Sequence, residues 1–171
     1  MFFSVQELEH HKIHFDTTFP ADELEFFEKL RQSGPIHAKG SAELLRNTLG
    51  EIRIQGHVAG EMEAECDRCL ETFKFSLDSR FDLFYRPAET APITEETRID
   101  EGESEIGFYE GNGVQLEDVL REHILLNLPM QRICSDACKG ICPACGQNRN
   151  RVYCDCEVKT VDERWSALKN L

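Results

Sequence analysis

Eight cysteines in a chain of 171 residues fall into closely spaced pairs, and that spacing constrains the fold more than any other feature. They run Cys66-x2-Cys69, then Cys134-x3-Cys138-x3-Cys142-x2-Cys145-x8-Cys154-x-Cys156. In a reducing compartment thiols stay free, so clustered pairs read as thiolate ligands rather than as half-cystines. Structural zinc prefers a closed tetrahedron of thiolates, and a pair two or three residues apart supplies two adjacent corners from one turn. Eight thiols therefore predict two Zn2+ ions, with Cys66, Cys69, Cys134, Cys138, Cys142, Cys145, Cys154 and Cys156 as ligands. Cys142-Pro143-Ala144-Cys145-Gly146 has the form of a zinc knuckle: proline fixes one dihedral and glycine permits the positive φ that curls the backbone toward the sulfurs.

Spacing leaves the connectivity open. One grouping joins Cys142 and Cys145 with Cys154 and Cys156 as a local ribbon, and Cys66 and Cys69 with Cys134 and Cys138, stapling a hairpin to the end of a helix. The other places Cys134, Cys138, Cys142 and Cys145 on one ion. Cys154-x-Cys156 is the weak member, because thiols two apart on an extended strand point to opposite faces unless the chain turns at Asp155.

Reactive alternatives find little support. A Cys-x-x-Cys redox motif opens a helix, but the residues after Cys145 have no apolar helical period. A catalytic zinc keeps an open position and commonly uses histidine, yet no histidine follows His123 and there is no His-Glu-x-x-His, Gly-x-Ser-x-Gly elbow or phosphate loop. The chain is expected not to be an enzyme. Its first ten residues lack a basic, then apolar leader, no 18-residue apolar run occurs, and 30% of residues are charged, so a cytoplasmic protein with no membrane partner is expected.

The rest of the pattern predicts an α+β fold: an antiparallel β-meander packed with a central helix, followed by a C-terminal cysteine-rich zinc module. Residues 1–130 would form the body and 131–171 the module with a C-terminal helix. Alternation runs from Ile36 to Arg86: Ile52, Ile54, Val58, Met62 and Ala64 on one side, with Glu61, Glu63 and Glu65 opposite as a solvated face, then Phe73, Phe75, Leu77, Phe81, Leu83 and Tyr85. Cys66 and Cys69 fall at the turn between these runs. Residues 87–105 are acid-rich and read as a mobile loop. Ile106, Phe108 and Tyr109 suggest a short strand, and Gly111-Asn112-Gly113 a turn. From Leu116 a helix is expected, with Val119, Leu120 and Ile124 on one face, acids in its first turn and Pro129 as its stop. Residues before Gly34 are harder to read; His10, His11 and His14 fit surface positions on an edge strand. Val161, Trp165 and Leu168 fit one helical face.

Charge is uneven. The net charge is −13, which argues against nonspecific coating of nucleic acid. Between Leu128 and Tyr153, however, Arg132, Lys139, Arg149 and Arg151 face the single acid Asp136, a local +3 against −16 elsewhere. An acidic body with a basic module suits a partner made of RNA and basic protein.

Four stretches together resemble the YceD-like family, the large ribosomal RNA subunit accumulation proteins. They are Cys66-Asp-Arg-Cys69-Leu-Glu-x-Phe73, Leu126-x-Leu128-Pro129-Met130, Cys138-Lys-Gly-Ile-Cys142-Pro-x-Cys145-Gly-x-Asn148 and Asp162-x-Arg164-Trp165-x-x-Leu168. The resemblance spans residue 50 or so to the C-terminus. It implies a noncatalytic factor supporting accumulation of large-subunit (23S) ribosomal RNA during ribosome assembly, with that RNA or the assembling large subunit as partner. Under it, Arg68, Arg132, Lys139, Arg149 and Arg151 become candidate RNA contacts, since arginine forks onto phosphate, and Tyr153 could stack on an unpaired base. The competing readings are that Arg68 only offsets the charge of a tetrathiolate site and that Tyr153 is packing. A second functional reading is an acidic adaptor that captures a basic ribosomal protein without touching RNA.

Overall fold

A computed structural model describes residues 1–26, 30–90 and 106–156. The fold is mainly β-sheet with few helices. The chain divides into two units, Met1–Ala64 with Lys74–Pro129, and Glu65–Phe73 with Met130–Leu171, the latter described as far as Cys156. Glu65–Phe73, inside the body by residue number, thus groups with the cysteine-rich unit.

The first unit is organised by β5 (Ile52–Glu65), fourteen residues that serve two partners in succession. Its beginning pairs antiparallel with β4 (Ile36–Leu44), from Leu44↔Ile52 to His37↔Ala59. Its end pairs antiparallel with β3 (Leu30–Gln32), Gln32↔Met62 to Leu30↔Ala64. Ile52, Ile54, Val58, Met62 and Ala64 are all fully buried, as side chains two apart on one face of a strand must be if that face meets the core. Glu61 is exposed and Glu63 half-buried on the other side, and none of the glutamate row belongs to a metal-competent group among the described residues. β6 (Thr72–Pro87) lies beside β5 and buries Leu77, Phe81 and Tyr85 in the same odd-numbered phase. β2 (Ile13–Phe19) pairs with the far side of β4 as the sheet edge, where His10, His11 and His14 are exposed.

The expected antiparallel meander is corrected at its far end. β7 (Ile106–Tyr109) pairs with β6 in parallel, Phe84↔Ile106 to Pro87↔Tyr109. A parallel return needs a long crossover rather than a tight turn, and the acid-rich connection supplies that length. Pro87 closes β6 and Ala88–Thr90 forms a single 3-10 turn; the rest of the expected mobile loop, 91–105, lies outside the described residues, as do Val161, Trp165 and Leu168.

The N-terminal stretch holds more structure than its sequence suggested. β1 (Phe2–Ser4) pairs antiparallel with β8 (Gly113–Gln115) as a separate two-stranded sheet. Ser4 caps the short helix α1 (Val5–Leu8) by accepting from the Glu7 amide at 3.2 Å. Ser4-x-x-Glu7 has the capping-box spacing and was the available signal. Phe3 is fully buried, its ring 5.6 Å from that of Phe15. Gln32, also buried, pins the surrounding loop: its amide nitrogen donates to the carbonyls of Phe19, Pro20 and Gly34, and its oxygen accepts from the Leu24 amide.

Helix α2 (Leu116–Leu126) forms as its periodicity requires, with Leu116, Val119, Leu120 and Ile124 buried and Glu117 and Asp118 in the first turn. His123 shares that buried face, and its Nε2 lies 2.9 Å from Ser79 Oγ. No helix among the described residues is long and apolar enough to cross a membrane.

Two tests follow from this packing. Leu120→Ala removes a fully buried side chain and should cost about 2–5 kcal/mol in urea unfolding. Burial holds the His123 imidazole below its ordinary value, so the unfolded chain binds the proton more readily. The stability this residue contributes is present above about pH 6.5 and is lost as pH falls below it. Thermal melts from pH 7 to pH 5 should therefore fall more steeply in wild type than in His123→Gln; equal slopes would show that the ring carries no such linkage.

Candidate metal centre

The second unit is built from two stretches of backbone laced together. Asp67 N–H donates to the Arg132 carbonyl at 2.8 Å, and Arg132 N–H to the Asp67 carboxylate at 2.7 Å. Around them the Cys66–Cys69 turn closes through Leu70 N–H to the Cys66 carbonyl at 2.8 Å, with Leu70 itself at φ +61°. These contacts bring Cys66, Cys69, Cys134 and Cys138 together, with their sulfurs all within 4.8 Å of one another. Cys142, Cys145, Cys154 and Cys156 form a second group within the same limit. The grouping across Cys134, Cys138, Cys142 and Cys145 is not the one formed. Cys154 and Cys156 both reach the second group because residues 152–156 are not in a strand and the opposite-face rule does not apply.

Metal fit can be tested on sulfur spacing. Bonds of about 2.3 Å in a tetrahedron place neighbouring sulfurs about 3.8 Å apart. Cys66 and Cys138 are separated by 3.9 Å, and Cys69 and Cys134 by 3.7 Å. Four-thiol groups of this size could hold metal ions, and four thiolates close the coordination shell. Cys66, Cys69 and Cys138 are buried, with Phe73 and Ile133 packed on them. In the second group only Cys142 is buried, while Cys145 and Cys156 are exposed.

Electrostatics points the same way. Burial raises the Cys66 thiol, but amide donors led by Cys134, which reaches its sulfur at 3.4 Å, outweigh this and bring it down to about 6. Cys138 is lowered, first by the Asn150 side-chain amide donating to its sulfur at 3.3 Å. Cys142 is lowered to about 6 by the amides of Cys145 and Ala144, which aim into its knuckle. Cys134, beside Cys138, is pushed up to about 12, and so is Cys156, beside Cys145. Like charges this close cannot all ionise. A divalent cation removes that conflict and lets every sulfur serve as thiolate.

Two asparagines in the loop between the cysteine pairs of the second group hold the backbone around both groups. Asn150 Oδ1 accepts from the Lys139 amide at 2.8 Å while its nitrogen donates to Cys138 Sγ. Asn148 Oδ1 accepts from the Asn150 amide, and its side-chain amide donates to Glu71 at 3.1 Å. Asn148 stands in one of the motifs that carry the family resemblance, and Asn150 follows it at Asn-x-Asn spacing.

The candidate RNA contacts separate into two kinds. Arg68 spends its guanidinium on the carbonyls of Asp136 and Cys138, each at 3.4 Å, so it braces the loop around the first group. Arg132 pairs with Asp67 and Arg151 with Glu71. Lys139 and Arg149 are exposed, and their charged ends have no partner among the described residues. Tyr153 is 89% exposed, which removes the packing explanation for it.

Two glycines test the loop geometry. Gly140 sits at φ +70°, and a Cβ there would lie 2.9 Å from the Arg68 carbonyl oxygen; Gly146 has φ +73° but open space around it. Gly146→Ala should cost about 1–2 kcal/mol, the left-handed penalty alone. Gly140→Ala should cost more, because the backbone must also move. Thermal melts that rank the two the other way would contradict the close approach of the two stretches.

With the groups defined, comparison places the chain among known proteins. The family described as "Large ribosomal RNA subunit accumulation protein YceD" matches residues 54–171. The chain is 27% identical over 150 residues to "Large ribosomal RNA subunit accumulation protein YCED homolog 1, chloroplastic" of Arabidopsis thaliana, covering 71% of this chain but 44% of that protein. It is 24% identical to "Uncharacterized protein YlbN" of Bacillus subtilis, covering 99% of this chain and 93% of the relative. A Mycobacterium tuberculosis protein is 29% identical over 96 residues, or 56% of this chain and 44% of that one. The chain thus spans less than half of the plant and mycobacterial relatives and most of the Bacillus one. No solved structure matches it. The family's description is of an accumulation factor rather than an enzyme. Since the match takes in more than half of the chain and every cysteine of both groups, the protein belongs to the YceD family.

Proposed function

We propose that this protein is a noncatalytic factor that supports accumulation of large-subunit (23S) ribosomal RNA, acting in the cytoplasm during assembly of the large subunit. The observation that carries this reading is the family match over residues 54–171, which includes both four-cysteine groups and the basic residues interspersed with them. Each group holds one structural Zn2+, chosen because an all-thiolate tetrahedron suits that ion and leaves no position for a reacting water. Zinc neutralises thiolates that otherwise repel, and so fixes the segments carrying Lys139 and Arg149 against the RNA, with Arg151 held by Glu71. The acidic remainder of the chain limits how much of its surface RNA can approach, which favours one oriented encounter over coating.

Two measurements test this. Depletion in cells should lower the ratio of large- to small-subunit ribosomal RNA, with wild type restoring it; an unchanged ratio would remove the functional reading. Native mass spectrometry of the whole chain should show two zinc ions, and one ion in either the Cys66→Ser/Cys69→Ser or the Cys142→Ser/Cys145→Ser double variant. Retention of a single ion by wild type would defeat the two-site assignment. If crosslinking in cells recovered a basic ribosomal protein and no RNA adducts, the adaptor reading would replace RNA contact.

A further inference from the structure

The feature left unexplained by metal binding is an exposed aromatic ring beside two uncommitted cations. Lys139, Arg149, Asn150, Arg151, Val152 and Tyr153 line a surface recess of about 340 Å³ in the second unit. Tyr153 is 89% exposed and Val152 48%, so the recess presents a ring and an aliphatic surface to solvent. Exposure alone does not mark a site, since Leu49 and Met130 are also exposed; here the ring shares a recess with two cations. Lys139 and Arg149 carry positive charge with no acid partner among the described residues, whereas Arg151 is already engaged by Glu71.

Backbone hydrogen bonds hold the walls of this recess. The Lys139 amide is held by Asn150, the Arg149 amide donates to the Gly140 carbonyl at 2.9 Å, and Arg151 and Val152 both donate to the Asn148 carbonyl. Cys138 and Cys154 sit at its two ends in sequence, one in each metal-competent group. The backbone that carries Lys139, Arg149 and Tyr153 is therefore fixed before a ligand arrives, which lowers the ordering cost of binding.

We infer that this recess is a binding site for an unpaired RNA nucleotide, with the base stacked on Tyr153 and the flanking phosphates on Lys139 and Arg149. A π-face accepts any base, and cations beside it track the sugar-phosphate chain; this pairing is how single strands are bound. Duplex RNA buries its base faces in its own stack and cannot use the ring. An acidic peptide would satisfy the cations but leave Tyr153 in water, which is why the nucleotide is favoured. The inference rests on the ribosomal RNA reading above and sharpens it, by naming the strandedness of the RNA and the side chains that meet it.

The test is fluorescence anisotropy of the zinc-loaded, full-length protein with a labelled single-stranded RNA, the same sequence as a duplex, and polyglutamate as competitor. Single-stranded RNA should bind more tightly than the duplex. Tyr153→Ala should weaken it by about 10-fold or more, while Tyr153→Phe, which keeps the ring, should bind as wild type. Lys139→Ala and Arg149→Ala should each reduce the slope of log affinity against log salt by about 0.7. Zinc content measured on each variant separates loss of a contact from loss of the fold. Equal binding of single strand and duplex, wild-type affinity in Tyr153→Ala with zinc retained, or displacement by polyglutamate at matched charge would each overturn the site. If depletion lowers large-subunit ribosomal RNA but Tyr153→Ala binds normally, the function stands and this site falls. The reverse pattern keeps the site and removes the function.

Discussion

Mutual repulsion among sulfurs at less than 4.8 Å is the constraint on which the second unit depends. Backbone and asparagine amides aimed at Cys66, Cys138 and Cys142 already favour thiolates there, while Cys134 and Cys156 are held as thiols by their neighbours. Amide donors thus favour thiolate at some sulfurs, and a divalent cation would favour it at all of them. Among its described residues this unit has little apolar core, and three of the buried ones are the first group's own cysteines. A small, polar loop assembly of this kind cannot offset its backbone ordering entropy by hydrophobic burial alone, which is why donor chemistry matters more here than packing.

The first unit solves a different problem. Its sheet is held by ladder hydrogen bonds and by an apolar face on β5, β6 and α2, and no cysteine cluster stands among its described residues. β5 is longer than an ordinary strand because it hands over from β4 to β3, and Gln32 secures the handover with four hydrogen bonds from one buried amide. The parallel β7 shows how connection length, more than strand pattern, sets direction: four residues of alternating character are compatible with either sense.

Placing the cations changes what the basic segment can do. By residue type, Arg68, Arg132, Lys139, Arg149 and Arg151 look equivalent; by contact they do not. Three of them brace the loops that carry the cysteines, and their charge is largely spent within the unit. The two that remain flank the one tyrosine that the fold leaves in water, so positive charge, ring and rigidity converge on a short stretch rather than on the whole segment.

Local chemistry was legible in the sequence. Thiol pairs with two or three residues between them specify turns that present two sulfurs, alternation specifies which side of β5 and β6 is buried, and 3.6-residue spacing specifies the buried face of α2. The family's motifs were legible for the same reason, being short runs of fixed spacing. What the sequence could not determine were relations between distant segments. Which pairs share a group depends on bringing Cys69 to Cys134 across 65 positions, and spacing favoured this grouping without excluding the other. Whether an arginine is free depends on which carbonyl or carboxylate the fold brings to it, and whether β7 runs parallel depends on the path of its connection. Those choices belong to tertiary structure because their energies lie in contacts between segments whose proximity no local pattern encodes.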